Sequence, residues 1–247
     1  MIKDPNILLL AGSFEARCVA EALTARAVQY DAWLSEAPRG SAPMPQMPHL
    51  RQFDDSASLL EAVQAGGFTA ILDAGHVFDR AVTQRAYQAA TALGLPYLRL
   101  ARPAWQTEGH PRWQCAVDVE QANAMIPEGA RVFCATGWDS LPAFDGFRGA
   151  SLMLRQSRRH SRAAPYPFVK LVFGDPPFSV EDEKSLFALL GVDLLICRNL
   201  GGDASRTKLD AADALGLDVI LINRSQAPEG LPVVSGVDAA LAWVDAL

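Results

Sequence analysis

The chain has 247 residues, half of them hydrophobic and a fifth charged, with a formal net charge of −6. This is the composition of a globular protein with one large or two small domains, and its acidic balance argues against nucleic acid as a partner. No apolar run reaches the ~18 residues that mark a membrane span, and the opening MIKDPNILLL lacks the cleavage pattern of a secretory signal.

The first organised stretch is ILLLAGSFEAR. Ile7 to Leu10 reads as a buried parallel strand, Ala11-Gly12-Ser13 as a tight turn, and Ala16 to Ala27 as a helix with Ser13 or Phe14 near its cap. A strand, a small-residue turn and a helix start leave backbone N–H groups pointing where an anion could sit. With one glycine in place of a full G-x-G-x-x-G, a phosphate loop and a plain packing turn both remain open.

Gln29 to Leu34 reads as a second strand, followed by a long loop rich in proline and small residues from Ser35 to His49. Loops of this length inside a compact domain are commonly functional, and this one leaves the carboxyl end of a strand, where open α/β folds bind ligands. Leu50 to Phe53 is a possible short strand, Ser56 to Ala65 a helix, and Thr69 to Ala74 a strand that runs into Gly75-His76-Val77-Phe78-Asp79. Arg80 to Leu93 is a helix closed by Gly94, and Pro96 to Leu100 is a further strand. Alternating strands and helices with short connections predict a parallel sheet covered by helices.

Polar residues around Gly109 and Pro111 break the pattern, and the domain join is expected near residue 115, giving units 1–115 and 116–247. Asp118 to Met125 reads as a helix. Strands are expected at Arg131 to Ala135, Ser151 to Arg155, Tyr166 to Gly174, Asp193 to Cys197 and Val219 to Ile222. Helices are expected at Ser179 to Leu190, with Asp182 completing a capping box, at Arg206 to Leu215, and at Val237 to Ala246. The second half thus repeats the layout of the first.

Cys18, Cys115, Cys134 and Cys197 show neither metal spacing nor a C-x-x-C pair, so no metal site is expected. Cys134 and Cys197 lie in apolar strand-like runs and read as buried thiols of a cytoplasmic protein. The arginines from Arg155 to Arg162 have no aromatic interleaving in sequence and read as an anion patch or a solvated loop. Ser140 belongs to no G-x-S-x-G motif.

Several stretches together resemble the precorrin-6A reductase family of cobalamin biosynthesis. They are Ala11-Gly12-Ser13-Phe14-Glu15-Ala16-Arg17, Asp73-Ala74-Gly75-His76-Val77-Phe78-Asp79, Pro96 to Trp105, Pro177-Phe178-Ser179-Val180-Glu181-Asp182-Glu183, and Cys197 to Gly202 with Lys208 to Leu217 and Ile222 to Ser225. Their order and spacing cover nearly the whole chain. The resemblance implies an α/β protein of two Rossmann-like domains, with parallel sheets flanked by helices and a ligand cleft between them. It also implies an NADPH-dependent oxidoreductase that reduces one carbon–carbon double bond of a corrin-ring precursor. The partner is then a small tetrapyrrole, with other corrin-pathway enzymes as candidates.

Carried onto this chain, the resemblance assigns Gly12, Ser13, Glu15, Arg17, Ser35, Arg39, Arg198, Asn199, Gly201 and Gly202 to the cofactor. It assigns His76 and the 137–139 turn to the ring, with His76 as candidate proton donor. Arg39 is the candidate cation for a 2′-phosphate. The chain departs from the family pattern at Ala11, at Trp138 in place of a basic residue, at Arg198 in place of lysine, and at Arg51-Gln52-Phe53-Asp54-Asp55 in place of a glycine-rich element. These departures keep two alternatives open: a diverged reductase with another substrate, and a tetrapyrrole- or nucleotide-binding paralogue without turnover.

Overall fold

In the computed structural model of the chain, residues 5–36, 43–53, 55–203 and 205–247 are described. β1 (Asn6–Ala11), β2 (Gln29–Leu34), β3 (His49–Leu50), β4 (Ala70–Asp73) and β5 (Tyr97–Leu100) alternate with α1 (Phe14–Ala25), α2 (Ser56–Ala65) and α3 (Arg80–Leu93). Then come β6 (Trp113–Ala116), α4 (Val119–Ala124), β7 (Arg131–Ala135), a 3-10 turn (Trp138–Phe144), β8 (Ser151–Gln156) and β9 (Val169–Phe173). α5 (Val180–Leu190), β10 (Leu194–Arg198), α6 (Thr207–Leu215), β11 (Asp218–Ile222), β12 (Val233–Val234) and α7 (Val237–Asp245) complete the order.

These strands form two six-stranded sheets, and every pairing in them is parallel. The first runs β3-β2-β1-β4-β5-β12 and the second β9-β8-β7-β10-β11-β6. Both have the doubly wound order in which the chain reverses direction beside its first central strand. Each sheet takes its sixth strand from a distant part of the chain. After β5 the chain supplies β6 to the edge beside β11, and after β11 it supplies β12 to the edge beside β5.

The compact units are therefore Met1–Pro103 with Gln226–Leu247, and Ala104–Ser225. This differs from the expected join at 115/116 in two places: β6 belongs wholly to the second unit, and the C-terminal strand and helix return to the first. The expected boundary rested on a polar break in the pattern, but the edge pairing of two short strands decides the division.

Parallel strands covered on both faces must be apolar on both, and β1 shows how this is met. Ile7, Leu9 and Ala11 pack with α1 and α7, whereas Leu8 and Leu10 pack with α2 and α3. In the second unit Phe133, Met153, Leu195 and Leu221 pack against Phe187 of α5 and Leu209 of α6. Helix starts follow their caps. Ser13 Oγ accepts from Ala16 N at 3.1 Å, and Ser179 and Asp182 form a reciprocal capping box. No helix among the described residues is long and apolar enough to cross a membrane.

The return of α7 yields a direct test. Leu241 is buried in the same cluster as Leu98 and Leu100. Leu241→Ala is expected to cost about 2–3 kcal/mol, the lower part of the range for a core leucine. Hydrogen exchange should quicken in β1, β4 and β5 and stay unchanged in β7 and β10. Quickening confined to β7 and β10 would contradict the assignment of α7 to the first unit.

Candidate functional site

In a doubly wound sheet, the loops after the two strands flanking the reversal leave on opposite sides and open a crevice at the carboxyl edge. In the first unit those strands are β1 and β4, so the loops are Gly12-Ser13 and Ala74-Gly75-His76. The loops approach closely. Gly12 has φ +152°, and a Cβ placed there would lie 3.0 Å from the His76 backbone nitrogen. Glycine is required at this point by both conformation and space. Ser13 ties the loops together, its hydroxyl donating to Ala74 O at 2.8 Å while its oxygen caps α1. The N–H groups of Phe14 and Glu15 lie in the first turn of α1, where no intrahelical carbonyl reaches them.

The β4 side of the crevice hangs on Asp73. Its carboxylate is almost wholly buried and takes four donors. Thr83 Oγ1 and Tyr97 OH donate to Oδ2 at 2.8 and 2.6 Å. Gly75 N donates to Oδ1 at 2.9 Å, and Arg99 Nη1 pairs with the same oxygen. Arg99 Nη2 then donates to the carbonyls of Gly75 and His76, each at 3.3 Å. Burial and the neighbouring carboxylate push the Tyr97 hydroxyl far above the ordinary range, so it stays a donor. His76 Nδ1 accepts from Phe78 N at 3.3 Å.

Glu15, Arg17 and Ser35, the other described first-unit candidates, have protein partners. Glu15 pairs with Arg102 at 3.3 Å, and Arg17 pairs with Glu21 at 3.8 Å and lies over the Phe14 ring. Ser35 Oγ donates to Asp79 Oδ2 at the wall of a cavity of about 20 Å³. Arg39 and Asp54 lie outside the described residues. Asp55 caps α2 through Ser58 N at 2.8 Å. Sequence reasoning missed Arg51, whose N–H donates to Leu34 O at 2.8 Å and whose guanidinium lies over Trp33, 5.4 Å from the ring centroid. It stands at the carboxyl end of β2, and the β3 pairing that puts it there is only two residues long.

The second unit repeats the arrangement at β7 and β10. Arg198, the last residue of β10, donates to Thr136 O after β7 and so bridges the two loops. Asn199 is buried, and its amide is committed to the backbone of Trp105: Oδ1 accepts from Trp105 N and Nδ2 donates to Trp105 O, both at 2.8 Å. Gly201 and Gly202 have φ +67° and +69°, successive left-handed residues that turn the chain toward α6. Trp105 Nε1 donates to Gly202 O at 3.1 Å. Burial pushes the Cys134 and Cys197 thiols up to about 11, so both stay protonated at neutral pH.

Folding also supplies the aromatic interleaving absent from the arginine stretch in sequence. Arg162 lies 4.1 Å over the Trp138 ring, His160 meets Trp138 and Phe173 edge-on at 5.1 and 5.4 Å, and Arg159 lies 5.7 Å from the Phe173 ring centroid. Among the described residues, no group of three or more His, Cys, Asp or Glu is arranged to hold a metal ion.

The Asp73 network sets an order of stabilities. Asp73→Asn leaves the Arg99 guanidinium buried without its anion and is expected to cost about 3–5 kcal/mol. Tyr97→Phe removes one hydrogen bond to a charged group and is expected to cost about 1.5–3 kcal/mol. Urea denaturation checks the order. Equal losses in the two variants would contradict the role given to the buried ion pair.

The family model described as precorrin-6x reductase CbiJ/CobK matches residues 6–245. A precorrin-6A reductase from Rhodococcus erythropolis is 34% identical over 245 residues, covering 98% of each chain. One from Mycobacterium tuberculosis is 32% identical over 243 residues, again covering 98% of each. Among solved structures, a CobK precorrin-6A reductase superposes with a TM-score of 0.89 at 25% identity, covering 98% of this chain and 97% of that one. With its two doubly wound units and this match across nearly every residue, the chain belongs to the precorrin-6x reductase family.

Proposed function

We propose that the protein reduces a carbon–carbon double bond of precorrin-6A in cobalamin biosynthesis, with NADPH as cofactor. The observation that carries this reading is the family match across residues 6–245. The chemistry of the first crevice fits a dinucleotide: a required glycine, a serine-capped helix start and first-turn N–H groups suit a pyrophosphate. Arg39 and Arg51 supply cations after β2 and β3, where a 2′-phosphate is held in folds of this order. NADPH, when bound, supplies the hydride.

This chain's residues bind, orient and protonate. Gly12, Ser13, Glu15, Arg17 and Ser35 are the candidates for the cofactor edge of the first unit, with Arg39 a further candidate by its place in the sequence after β2. Arg198, Asn199, Gly201 and Gly202 form the corresponding edge of the second, with Asn199 acting by holding the Trp105 segment. Saturating the double bond needs a proton on the carbon that does not receive hydride, and His76 is the candidate donor. The Trp138–His160–Phe173 cluster with Arg159 and Arg162 offers ring faces and cations to a planar polycarboxylate. The reaction takes place in the cytoplasm, where Cys134 and Cys197 remain reduced, and neighbouring corrin-pathway enzymes are candidate partners. The capping of α2 by Asp55 explains one departure from the family pattern without invoking a different substrate.

Titration of the purified protein with NADPH and NADH, followed by nicotinamide fluorescence, tests the cofactor assignment. NADPH should bind more tightly, and Arg39→Ala should weaken NADPH roughly tenfold while leaving NADH unchanged, as for loss of one charge-assisted contact. Absence of binding by either nucleotide at millimolar concentration would overturn the assignment.

A further inference from the structure

A second cavity, of about 170 Å³, opens at the carboxyl edge of the second sheet on its α5 and α6 side. Its wall includes Arg155 of β8, Phe178 after β9, Glu183 of α5, and Ser205, Thr207 and Lys208 at the start of α6. None of these belongs to the residues assigned above.

The charges in the wall do not balance. Arg155 Nη2 pairs with Glu183 Oε2 at 2.7 Å, and the Glu183 carboxylate is 1% exposed. The guanidinium lies over Phe178 at 4.1 Å and over Phe133 at 4.9 Å. Its Nε is buried without a hydrogen-bond partner among the described residues. This pair is neutral as a unit, and its rings and stem make a fixed wall. Lys208 is a further cation of the lining, and Glu183 is the only acid among the described lining residues. The Lys208 ammonium spends one of its three N–H groups on Ser205 O at 2.6 Å. Ser205 and Thr207 also line the cavity. The cavity thus carries a net charge of one cation in a largely apolar shell.

Its size limits the occupant. The space is well below the ~300 Å³ at which whole-ligand pockets begin, so it suits a short acidic arm. We propose that this cavity is an oxyanion subsite, with Lys208 as its cation, that receives one acidic arm of a larger ligand. The proposal rests on the reductase reading for its two sources of that arm, a carboxylate of the tetrapyrrole or a phosphoryl group of the nucleotide.

The test compares the wild-type protein with Lys208→Met, Lys208→Arg and the surface control Lys184→Met, whose lysine pairs with Glu181 on α5. Dissociation constants are measured separately for NADPH and for precorrin-6A under anaerobic conditions, with circular dichroism to verify folding. Lys208→Met should weaken one of the two by about tenfold or more, the loss expected for a hydrogen-bonded charge, and Lys208→Arg should recover most of it. Loss for precorrin-6A alone identifies a carboxylate, and loss for NADPH alone identifies a phosphoryl group. Unchanged constants in folded Lys208→Met, or an equal loss in Lys184→Met, would overturn the subsite and leave the reductase reading standing. Lysine-dependent binding without any turnover would sink the reductase reading and keep the subsite. Binding of neither molecule to the wild-type protein would remove both.

Discussion

The first unit depends on one buried carboxylate. Asp73 ends β4 and gathers donors from α3, β5 and its own following loop. A carboxylate so deeply buried is tolerable only because each oxygen is met, one by two hydroxyls and the other by a backbone N–H and a guanidinium. Arg99 passes the constraint onward by holding the Gly75 and His76 carbonyls. The backbone of His76 is what Gly12 packs against. Position in the candidate cofactor loop is therefore inherited from an ion pair beneath it, in keeping with a binding loop carried on a rigid support.

The second organising constraint is topological. Both sheets have the same strand order, and each borrows its outermost strand from the chain segment that follows the other sheet's fifth strand. Two short pairings, Val219 to Ile222 with Trp113 to Ala116 and Val233–Val234 with Arg99–Leu100, define which residues belong to which unit. Among the described residues, a hydrogen bond crosses between the loops at the reversal point of each unit, Ser13 to Ala74 in the first and Arg198 to Thr136 in the second.

Much of this was legible in the amino-acid order because it is local. Ile7 to Leu10 has the unbroken apolar run that burial on both faces requires, and Ser13, Asp55, Asp118 and Ser179 stand where helices need caps. Gly12 and His76 were visible as residues at strand ends. What escaped depends on contacts far apart in sequence. Nothing about Asn199 indicates that its amide will be absorbed by Trp105, 94 residues away. The Asp73 donors arrive from as far as Arg99, and the aromatic partners of Arg159 and Arg162 come from β9 and from the turn after β7. β6 and β12 escaped for a different reason. One exposes its two middle residues and the other is two residues long, so neither carries the apolar signature of a central strand.

The reading of the chain as a precorrin-6A reductase rests on the family match across residues 6–245. The most direct measurement is anaerobic turnover of precorrin-6A with NADPH, following nicotinamide absorbance together with the mass of the tetrapyrrole. The account predicts one NADPH oxidised for each tetrapyrrole and a product heavier by two hydrogens, with one of them labelled when the cofactor carries deuterium at its transferable position. Unchanged tetrapyrrole mass, with folded protein and bound NADPH, would contradict it.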